Sequence, residues 1–211
     1  IDKEAIINEM LEGIPAVAET PLNPTVKGYS DDLDPIEYDK EAAQALLEEN
    51  GYGDGFTAEI IVRDRTTADI ATFIQEELSD LGITLEIRQM ESGAYQEYTA
   101  NGQHDMFMGS WGTVTLDADY GLYPMFHSDN HGAPGNRTRY SNDEVDQLLD
   151  AARTETDEAA RMQQYAEAQQ IIIDEAPLVP IYHSVLLAGI NDELDGYFQY
   201  PSSFPYLKEL E

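Results

Sequence analysis

The sequence contains no cysteine and few basic residues, and both shortages limit what the protein can do. Without cysteine the chain forms no disulfide, no thiolate metal site and no cysteine nucleophile. Its 211 residues include 11 Lys and Arg against 42 Asp and Glu, which gives a formal net charge of −31 at pH 7. Because phosphate backbones and anionic lipid headgroups repel such a surface, we expect no nucleic-acid partner and no attachment to a membrane through charge.

Long apolar runs are also missing. No stretch of about 18 apolar residues occurs, so the sequence predicts no membrane-spanning helix. The residues that follow Ile1 lack the pattern of a signal peptide and resemble the middle of a longer sequence. We therefore expect the chain to begin at a domain edge.

The acidic residues are spread evenly along a chain that has the composition of a folded protein. Apolar residues make up 42% and aromatic residues 9%, more than a disordered acidic tail contains. Residues 1–105 hold 24 acids and residues 106–211 hold 18. Concentrated salt screens the repulsion between so many acidic side chains, since the Debye length falls to about 3 Å at 1 M. The charge predicts a halophilic source, and the alternative is an ordinary acidic protein.

Hydrophobic periodicity predicts an α/β fold. Apolar residues alternate over 56–63 and again over 83–90, as in strands, while residues 67–81 between them have helical spacing. Strand, helix and strand within about 35 residues is the size of a βαβ unit with parallel strands. The sequence thus predicts at least one such unit.

The remaining segments alternate between predicted helices and irregular chain. Helical spacing predicts further helices over 3–12, 41–50, 93–101, 145–152 and 157–174, with N-caps at Asp39, Ser92, Ser141 and Asp157. A Pro-rich irregular stretch covers 14–37, a buried strand is predicted in 105–112, the longest loop in 113–140, and two short strands in 178–190.

Several polar residues have the types that catalysis or metal binding uses. His127 and His131 stand four apart, which suits zinc on a helix, although the sequence around them is loop-like. Asp117 and Asp119 have the residue type of a glycosidase acid–base pair. The segment GSWG (109–112) lacks the GxSxG spacing of a nucleophile elbow.

Trp111 indicates a ligand-binding site as the alternative to catalysis or metal binding. It is the only Trp, it ends the apolar segment 105–112, and a Gly/Thr-rich loop with two acids follows it. Small ligands bind in α/β folds at strand ends where an aromatic face meets polar groups. The competing interpretation is a Trp that serves only to fill the core.

The whole chain resembles the C-terminal lobe of the family-5 extracellular solute-binding proteins, which serve peptide, nickel and glutathione ABC importers. Seven segments carry the resemblance in family order: IDKEAIINEML (1–11) with the Pro-rich stretch after it, YDKEAAQALLEENGY (38–52), IATFIQEELSDLGITLEI (70–87), HDMFMGSWG (104–112), DADYGLYPMFHS (117–128), RYSNDEVDQLLDAA (139–152) and ARMQQYAEAQQIIIDEAPLVPIYH (160–183).

The resemblance implies a periplasmic-binding-protein-like (type II) α/β lobe with a mixed, mostly parallel sheet flanked by helices. Residues 1–211 would form this single lobe, and about 178–211 would include strands that pack on a missing N-terminal lobe. The stretch 14–37 would cover the lobe rather than link domains. Ligand would be held between two lobes that close around it.

The same resemblance implies the function. We expect a non-enzymatic receptor of an ABC importer from a halophilic archaeon, without a cofactor or metal, that binds oligopeptides or glutathione. Its partners would be the permease subunits and the N-terminal lobe, and its location extracellular with a lipoprotein anchor. A nickel complex or an oligosaccharide is the alternative solute, and a glycosidase using Asp117 and Asp119 is the alternative from another class.

The resemblance also implies the site residues. Trp111 matches the cleft Trp of the family, with Ser110, Gly112 and Thr113 as backbone or hydroxyl partners. Dipeptide binders place an amine-binding Asp three residues after this Trp, where the present chain has Val114, and its acids Asp117 and Asp119 come later, as in the glutathione-binding branch. Arg63 and Arg65 fall where dipeptide binders place an Arg that pairs with the ligand carboxylate.

Overall fold

The structure is a computed structural model and describes residues 1–200 and 204–208. The α-helices are α1 (Lys3–Ala5), α2 (Lys40–Glu49), α3 (Arg65–Ser79), α4 (Ser92–Ala100), α5 (Ala118–Phe126), α6 (Asp143–Thr154) and α7 (Glu158–Glu175). The strands are β1 (Ala16–Val17), β2 (Phe56–Val62), β3 (Ile83–Gln89), β4 (Met106–Phe107), β5 (Tyr182–His183), β6 (Phe198–Gln199) and β7 (Pro205–Tyr206). A π-helix (Ile6–Met10) continues α1, and a 3₁₀ turn (Ser128–Asn130) follows α5.

The central sheet has three parallel strands in the order β3-β2-β4. Strands β2 and β3 pair along their whole length, from Phe56 opposite Ile83 to Val62 opposite Gln89. Helix α3 connects them, so the predicted βαβ unit is confirmed. Two small antiparallel ribbons, β1 with β5 and β6 with β7, lie apart from this sheet.

One hydrophobic core lies between the sheet and α3. The alternation of β2 places Ala58, Ile60 and Val62 on one face, where they pack with buried residues of α3 and with Ile6 of the π-helix. Ile61 points to the opposite face and is also fully buried. The C-terminal half of β2 is therefore covered on both sides, as in other parallel sheets.

A second core joins the last three long helices. Its buried residues come from α5, α6, α7 and the Pro-rich stretch, and include Leu22, Val26, Leu122, Phe126, Val145, Leu149, Tyr165 and Ile172. The stretch 14–37 is thus packed against helices: Gln169 Nε2 donates to the Gly28 carbonyl at 2.9 Å inside this core. The backbone of Lys27 pairs with Leu116 and Ala118 on either side of the start of α5.

The strand predicted in the apolar segment 105–112 is confirmed only at Met106 and Phe107, which pair with β2, and the prediction of a longer, fully buried strand was wrong. The Met108 N–H donates to the Ile61 carbonyl at 2.9 Å, and β2 ends one residue later. Without a neighbouring strand beyond that point, the chain from Gly109 to Trp111 leaves the sheet.

The prediction of a long loop over 113–140 was also wrong, since α5 lies within it. Gly, Pro and Asp marked the segment as a loop, yet each has a place in the helix. Asp117 is its N-cap, Gly121 allows close packing against Leu22, and Pro124 lies in its last turn. The tertiary contacts of an apolar helix override the local composition here.

Three smaller predictions need correction. The N-cap of α4 is Glu91 rather than Ser92, and that of α6 is Asn142 rather than Ser141. Segment 178–190 holds one short strand, β5, because β1 is the only strand beside it within the described residues. Part of the predicted C-terminal strand region, 201–203 and 209–211, lies outside the residues that the structure describes. Over the described chain, we find no helix with the length and apolar character that a membrane crossing needs.

Candidate functional site

The candidate site lies at the carboxyl ends of the parallel strands. Strand β2 has β3 on one side and β4 on the other, so the strand order changes direction at β2. Arg63 follows β2 directly, and Ser110 and Trp111 follow β4 after a short turn. Ligands bind in open α/β sheets at this kind of position, outside the strand ends where the order reverses.

Arg63 joins the two strand ends. Its Nη2 lies 3.4 Å from Ser110 Oγ, and its Nε lies 3.4 Å from a carboxylate oxygen of Asp64. The guanidinium carbon is 5.8 Å from the ring centroid of Tyr95. Because the Arg63 side chain remains 36% exposed, the guanidinium is held by the protein and still open to a carboxylate in solution.

Arg65 is placed differently from Arg63. Its side chain is 93% exposed, and its Nε lies 3.6 Å from Asp69 one turn along α3. Such solvated pairs contribute little to stability, so the Arg65 side chain is not fixed in one orientation by this contact.

Trp111 is half-buried and packs on α5. Its ring lies 5.5 Å from the ring of Tyr120, tilted by 36°, and its indole N–H donates to the Tyr120 carbonyl at 2.8 Å. In a regular helix that carbonyl would accept from the N–H of residue 124, but Pro124 has none. The proline therefore frees the carbonyl that orients the indole.

Gly112 and Thr113 continue from Trp111 into the turn before α5. A Cβ added to Gly112 would meet nothing within 4 Å, so this glycine faces open space. The Thr113 side chain instead packs against Gly121, where a Cβ would lie 3.1 Å from the hydroxyl oxygen. Gly112 thus borders the site, while Thr113 anchors the turn to the helix.

Asp117 is held by Arg161. The two guanidinium Nη atoms donate to the two carboxylate oxygens at 2.9 and 2.6 Å, and Asp117 also accepts from the Asp119 N–H. The hydrogen bonds from Arg161 are the main reason that the pKa of Asp117 lies below its usual value. A ligand amine at this carboxylate would have to compete with Arg161.

Asp119 pairs with Arg153, whose Nε lies 3.0 Å from a carboxylate oxygen. The Arg153 guanidinium lies 3.9 Å from the ring centroid of Tyr123, which fixes its plane. Both acids border a cavity of about 420 Å³, lined by Thr115, Asp117, Asp119, Tyr120, Arg153 and Arg161.

Asp117 is not suited to act as a general acid. A general acid needs a carboxyl whose pKa is raised above its usual value. The pKa of Asp117 is lowered, and both of its oxygens already accept hydrogen bonds from Arg161. The geometry therefore gives no support to the glycosidase alternative.

The two histidines considered for zinc have other contacts. His127 is buried, stacks on Tyr123 at 4.4 Å and accepts the Asp129 N–H at its Nδ1. His131 Nε2 lies 3.0 Å from the Tyr140 carbonyl. In the part of the chain that the structure describes, no three or more His, Asp or Glu side chains form a metal-binding group.

Sequence reasoning did not identify Tyr95, Tyr120, Arg153 or Arg161 as part of this region. Tyr95 and Arg161 lie in predicted helices, and nothing in their spacing marks them as neighbours of the candidate site. Tyr120 and Arg153 are adjacent to it only through the fold of α5 against α6. The scarcity of basic residues was the one usable signal, because seven Arg among so many acids are natural ion-pair partners.

Comparison with known proteins gives consistent matches. A sequence model described as "Bacterial extracellular solute-binding proteins, family 5 Middle" matches residues 1–133. Heme-binding protein A of Haemophilus influenzae is 30% identical over 97% of this chain and 38% of its own length. The glutathione-binding protein GsiB of Salmonella paratyphi A is 31% identical over 96% of this chain and 41% of its own length.

A solved structure agrees with these matches. The ABC transporter-associated periplasmic binding protein DppA from Helicobacter pylori, in complex with peptide STSA, is 33% identical with a TM-score of 0.81, over 86% of this chain and 36% of that chain. The predicted periplasmic-binding-protein-like (type II) fold is thereby confirmed. The chain spans about two fifths of the length of the curated relatives that it matches.

Proposed function

The chain belongs to the bacterial extracellular solute-binding proteins of family 5, and from this premise we propose that it is one lobe of an ABC importer receptor. The receptor binds oligopeptides, or a related small peptide such as glutathione, in a cleft between this lobe and an N-terminal lobe. It carries out no catalysis and works outside the cell, anchored as a lipoprotein and docking on the permease subunits of its importer.

The contact between Arg63 and Ser110 is the observation that supports peptide binding most directly. It brings the partly exposed Arg63 guanidinium next to the Ser110 hydroxyl at the carboxyl ends of β2 and β4. An Arg fork with an adjacent hydroxyl suits a peptide's terminal carboxylate. Trp111 and Tyr120 offer an apolar wall beside it.

The other predicted residues have secondary parts in this proposal. Gly112 and Thr113 supply backbone groups beside the wall formed by Trp111 and Tyr120. Arg65 lies at the outside of the site, where its exposed guanidinium contacts only a part of the ligand that is itself exposed to solvent. Asp117 and Asp119 act as polar groups at the cavity edge, with their charge balanced by two arginines.

Relatives support a peptide as the ligand class. The Helicobacter pylori structure contains peptide STSA, and the Salmonella relative is named for glutathione. The Haemophilus influenzae relative is named for heme, which keeps a non-peptide solute as the second candidate. A planar solute would use the Trp111–Tyr120 wall in place of the Arg63 fork.

The C-terminal segment supports a second lobe. Residues 178–200 and 204–208 expose many large apolar side chains, among them Val179, Val185, Leu186, Leu187, Ile190, Phe204 and Leu207. Exposed apolar surface of this kind marks a contact with another surface. We propose that the N-terminal lobe covers it, and that ligand affinity needs both walls of the cleft.

Replacing Arg63 by Gln tests the proposed carboxylate site in the receptor with both lobes. We expect affinity for peptides with a free C-terminal carboxylate to fall about tenfold or more, since a charge-assisted fork is lost. Affinity for the same peptides as C-terminal amides should change less than about twofold. Isothermal titration calorimetry on both peptide forms measures the difference.

Arg88→Gln is the matched control. Arg88 lies on β3, pairs with Glu59 at 3.6 Å and packs over Tyr98, so its loss removes equal charge from a side chain that has other partners than Arg63. Equal weakening of acid and amide peptides by Arg63→Gln would contradict the carboxylate role.

A further inference from the structure

Tyr95 connects the two strand ends that carry the proposed ligand site. Its side chain is on α4 and only 3% exposed. The hydroxyl donates to the Met108 carbonyl at 2.7 Å, and the ring lies 5.8 Å from the Arg63 guanidinium carbon. One side chain thus contacts both the residue after β2 and the segment after β4.

The Tyr95 hydroxyl makes a hydrogen bond that a neighbouring strand would otherwise make at the end of the sheet. The Met108 N–H is bonded to the Ile61 carbonyl of β2, and the Met108 carbonyl is bonded to Tyr95. A half-buried carbonyl without a donor is unfavourable, so this bond determines where the chain leaves the sheet toward Ser110. Burial raises the pKa of the Tyr95 phenol, which keeps its proton available for the bond.

The space around this bond is tightly filled. The rings of Tyr95 and Phe107 meet edge to face, with centroids 6.5 Å apart. A Cβ added to Gly109 would lie 3.0 Å from Phe107 and 3.3 Å from the Tyr95 hydroxyl. Any side chain at position 109 would therefore push on the same contact from the other side.

We propose that Tyr95 is a positioning residue that holds Arg63 and Ser110 at the spacing in which they receive a peptide's terminal carboxylate. The proposal rests on the proposed function, because it assigns a part in that same site. Tyr95 itself does not contact ligand. It acts through its ring beneath the guanidinium and through its hydroxyl on the loop that carries Ser110.

Tyr95→Phe in the receptor with both lobes tests this proposal. The probe is a tripeptide library, used once with free C-terminal carboxylates and once as C-terminal amides, with calorimetry as the readout. We expect affinity for the acid library to fall about tenfold, because the loss of a hydrogen bond to a half-buried carbonyl shifts Ser110 away from Arg63. Affinity for the amide library should change less than about twofold.

Two variants keep the result interpretable. Tyr98→Phe is the matched control, because Tyr98 is on the same helix and its hydroxyl accepts a hydrogen bond from Arg88 at 3.2 Å. Its replacement should change the affinity for either library by less than about twofold. Gly109→Ala disturbs the same contact while Tyr95 itself is kept, and should reproduce the selective loss for the acid library. It serves as the second test if Tyr95→Phe does not fold, as judged by thermal unfolding.

The outcomes separate the two proposals. If the parent receptor binds neither library, peptide binding and the role of Tyr95 fail together. If the parent binds the acid library but Tyr95→Phe and Gly109→Ala weaken acid and amide binding equally, only the role of Tyr95 is overturned. The double variant Arg63→Gln/Tyr95→Phe is compared with Arg63→Gln alone. If Tyr95→Phe causes no additional loss of affinity for the acid library in that background, the role of Tyr95 is supported, since both residues then act at one carboxylate.

Discussion

The melting temperature of the protein should rise by about 10 °C between 0.1 and 2 M NaCl, which corresponds to about 3 kcal/mol for a chain of this size. The structure explains the direction of the effect. Seven carboxylates form ion pairs with Lys or Arg among the described residues. In the part of the chain that the structure describes, most acids therefore repel one another in dilute buffer without a Lys or Arg partner.

A charge-reduced variant provides the control for this prediction. Glu48 and Glu49 are exposed in the last turn of α2, where the helix dipole disfavours negative charge. Replacing both by Gln should raise the melting temperature in 0.1 M NaCl and reduce its dependence on salt. Thermal unfolding followed by circular dichroism in NaCl and KCl measures both. A melting temperature that does not change with salt would contradict the predicted halophilic source and leave the family membership standing.

Arg161→Met should lower the free energy of unfolding by about 3 kcal/mol, and the melting temperature by about 5–10 °C. The change leaves the Asp117 carboxylate without its bidentate partner and removes donors to the Ala152 carbonyl and the Tyr165 hydroxyl. These contacts join the start of α5 to α6 and α7 beside the second core, whose buried residues include Ala152 and Tyr165. Denaturant unfolding of the variant gives the value directly.

A double-mutant cycle with Asp117→Asn isolates the pair. Asn keeps an oxygen that can cap α5 but loses the charge, and we expect a coupling energy of about 2 kcal/mol with Arg161→Met. Lys27→Met is the matched control, since Lys27 and Glu158 are 51% and 73% exposed and solvent screens their ion pair, so its loss should change the stability much less than Arg161→Met does. A coupling energy near zero would contradict a stabilising role for the pair.

The pH dependence of the same pair has a defined sign. The pKa of Asp117 is lowered in the folded state, so its contribution to stability is complete above the usual pKa of an aspartate. It is lost as the pH falls through the folded value. The stability difference between the parent and Asp117→Asn should therefore be largest near neutral pH and shrink below about pH 4.

The sequence predicted the βαβ unit well because its signals are local. The alternation in β2 and β3 and the helical spacing in α3 depend on burial against neighbouring elements of the same unit. The long helix from Asp157 was also confirmed, since a strong N-cap and helical spacing agree there.

Prediction failed where structure depends on distant contacts. The apolar segment after His104 has no partner strand beyond Val62, where β2 ends, and no local signal shows where a neighbouring strand ends. Helix α5 contains Gly121, which packs closely against Leu22, and Pro124, which lies in its last turn, so tertiary packing outweighs their turn-forming preferences. Both errors arose from applying local rules to residues whose partners lie far away in sequence.

The candidate site could be predicted in part. Arg63, Ser110 and Trp111 were named from the resemblance to the family, and the structure brings Arg63 and Ser110 together. Tyr95 could not be found, because its role depends on α4 lying beneath two strand ends. Arg161 was missed for a similar reason, since its partner Asp117 is 44 residues away.

Calorimetry of the two-lobed receptor against a library of di- to hexapeptides tests the central claim most directly. Glutathione, Ni²⁺, heme and short oligosaccharides complete the set of candidate solutes. Our account predicts that at least one peptide or glutathione binds with a dissociation constant near or below about 1 μM, and that Arg63→Gln weakens it. Binding of heme, nickel or an oligosaccharide with no response to any peptide would contradict the account.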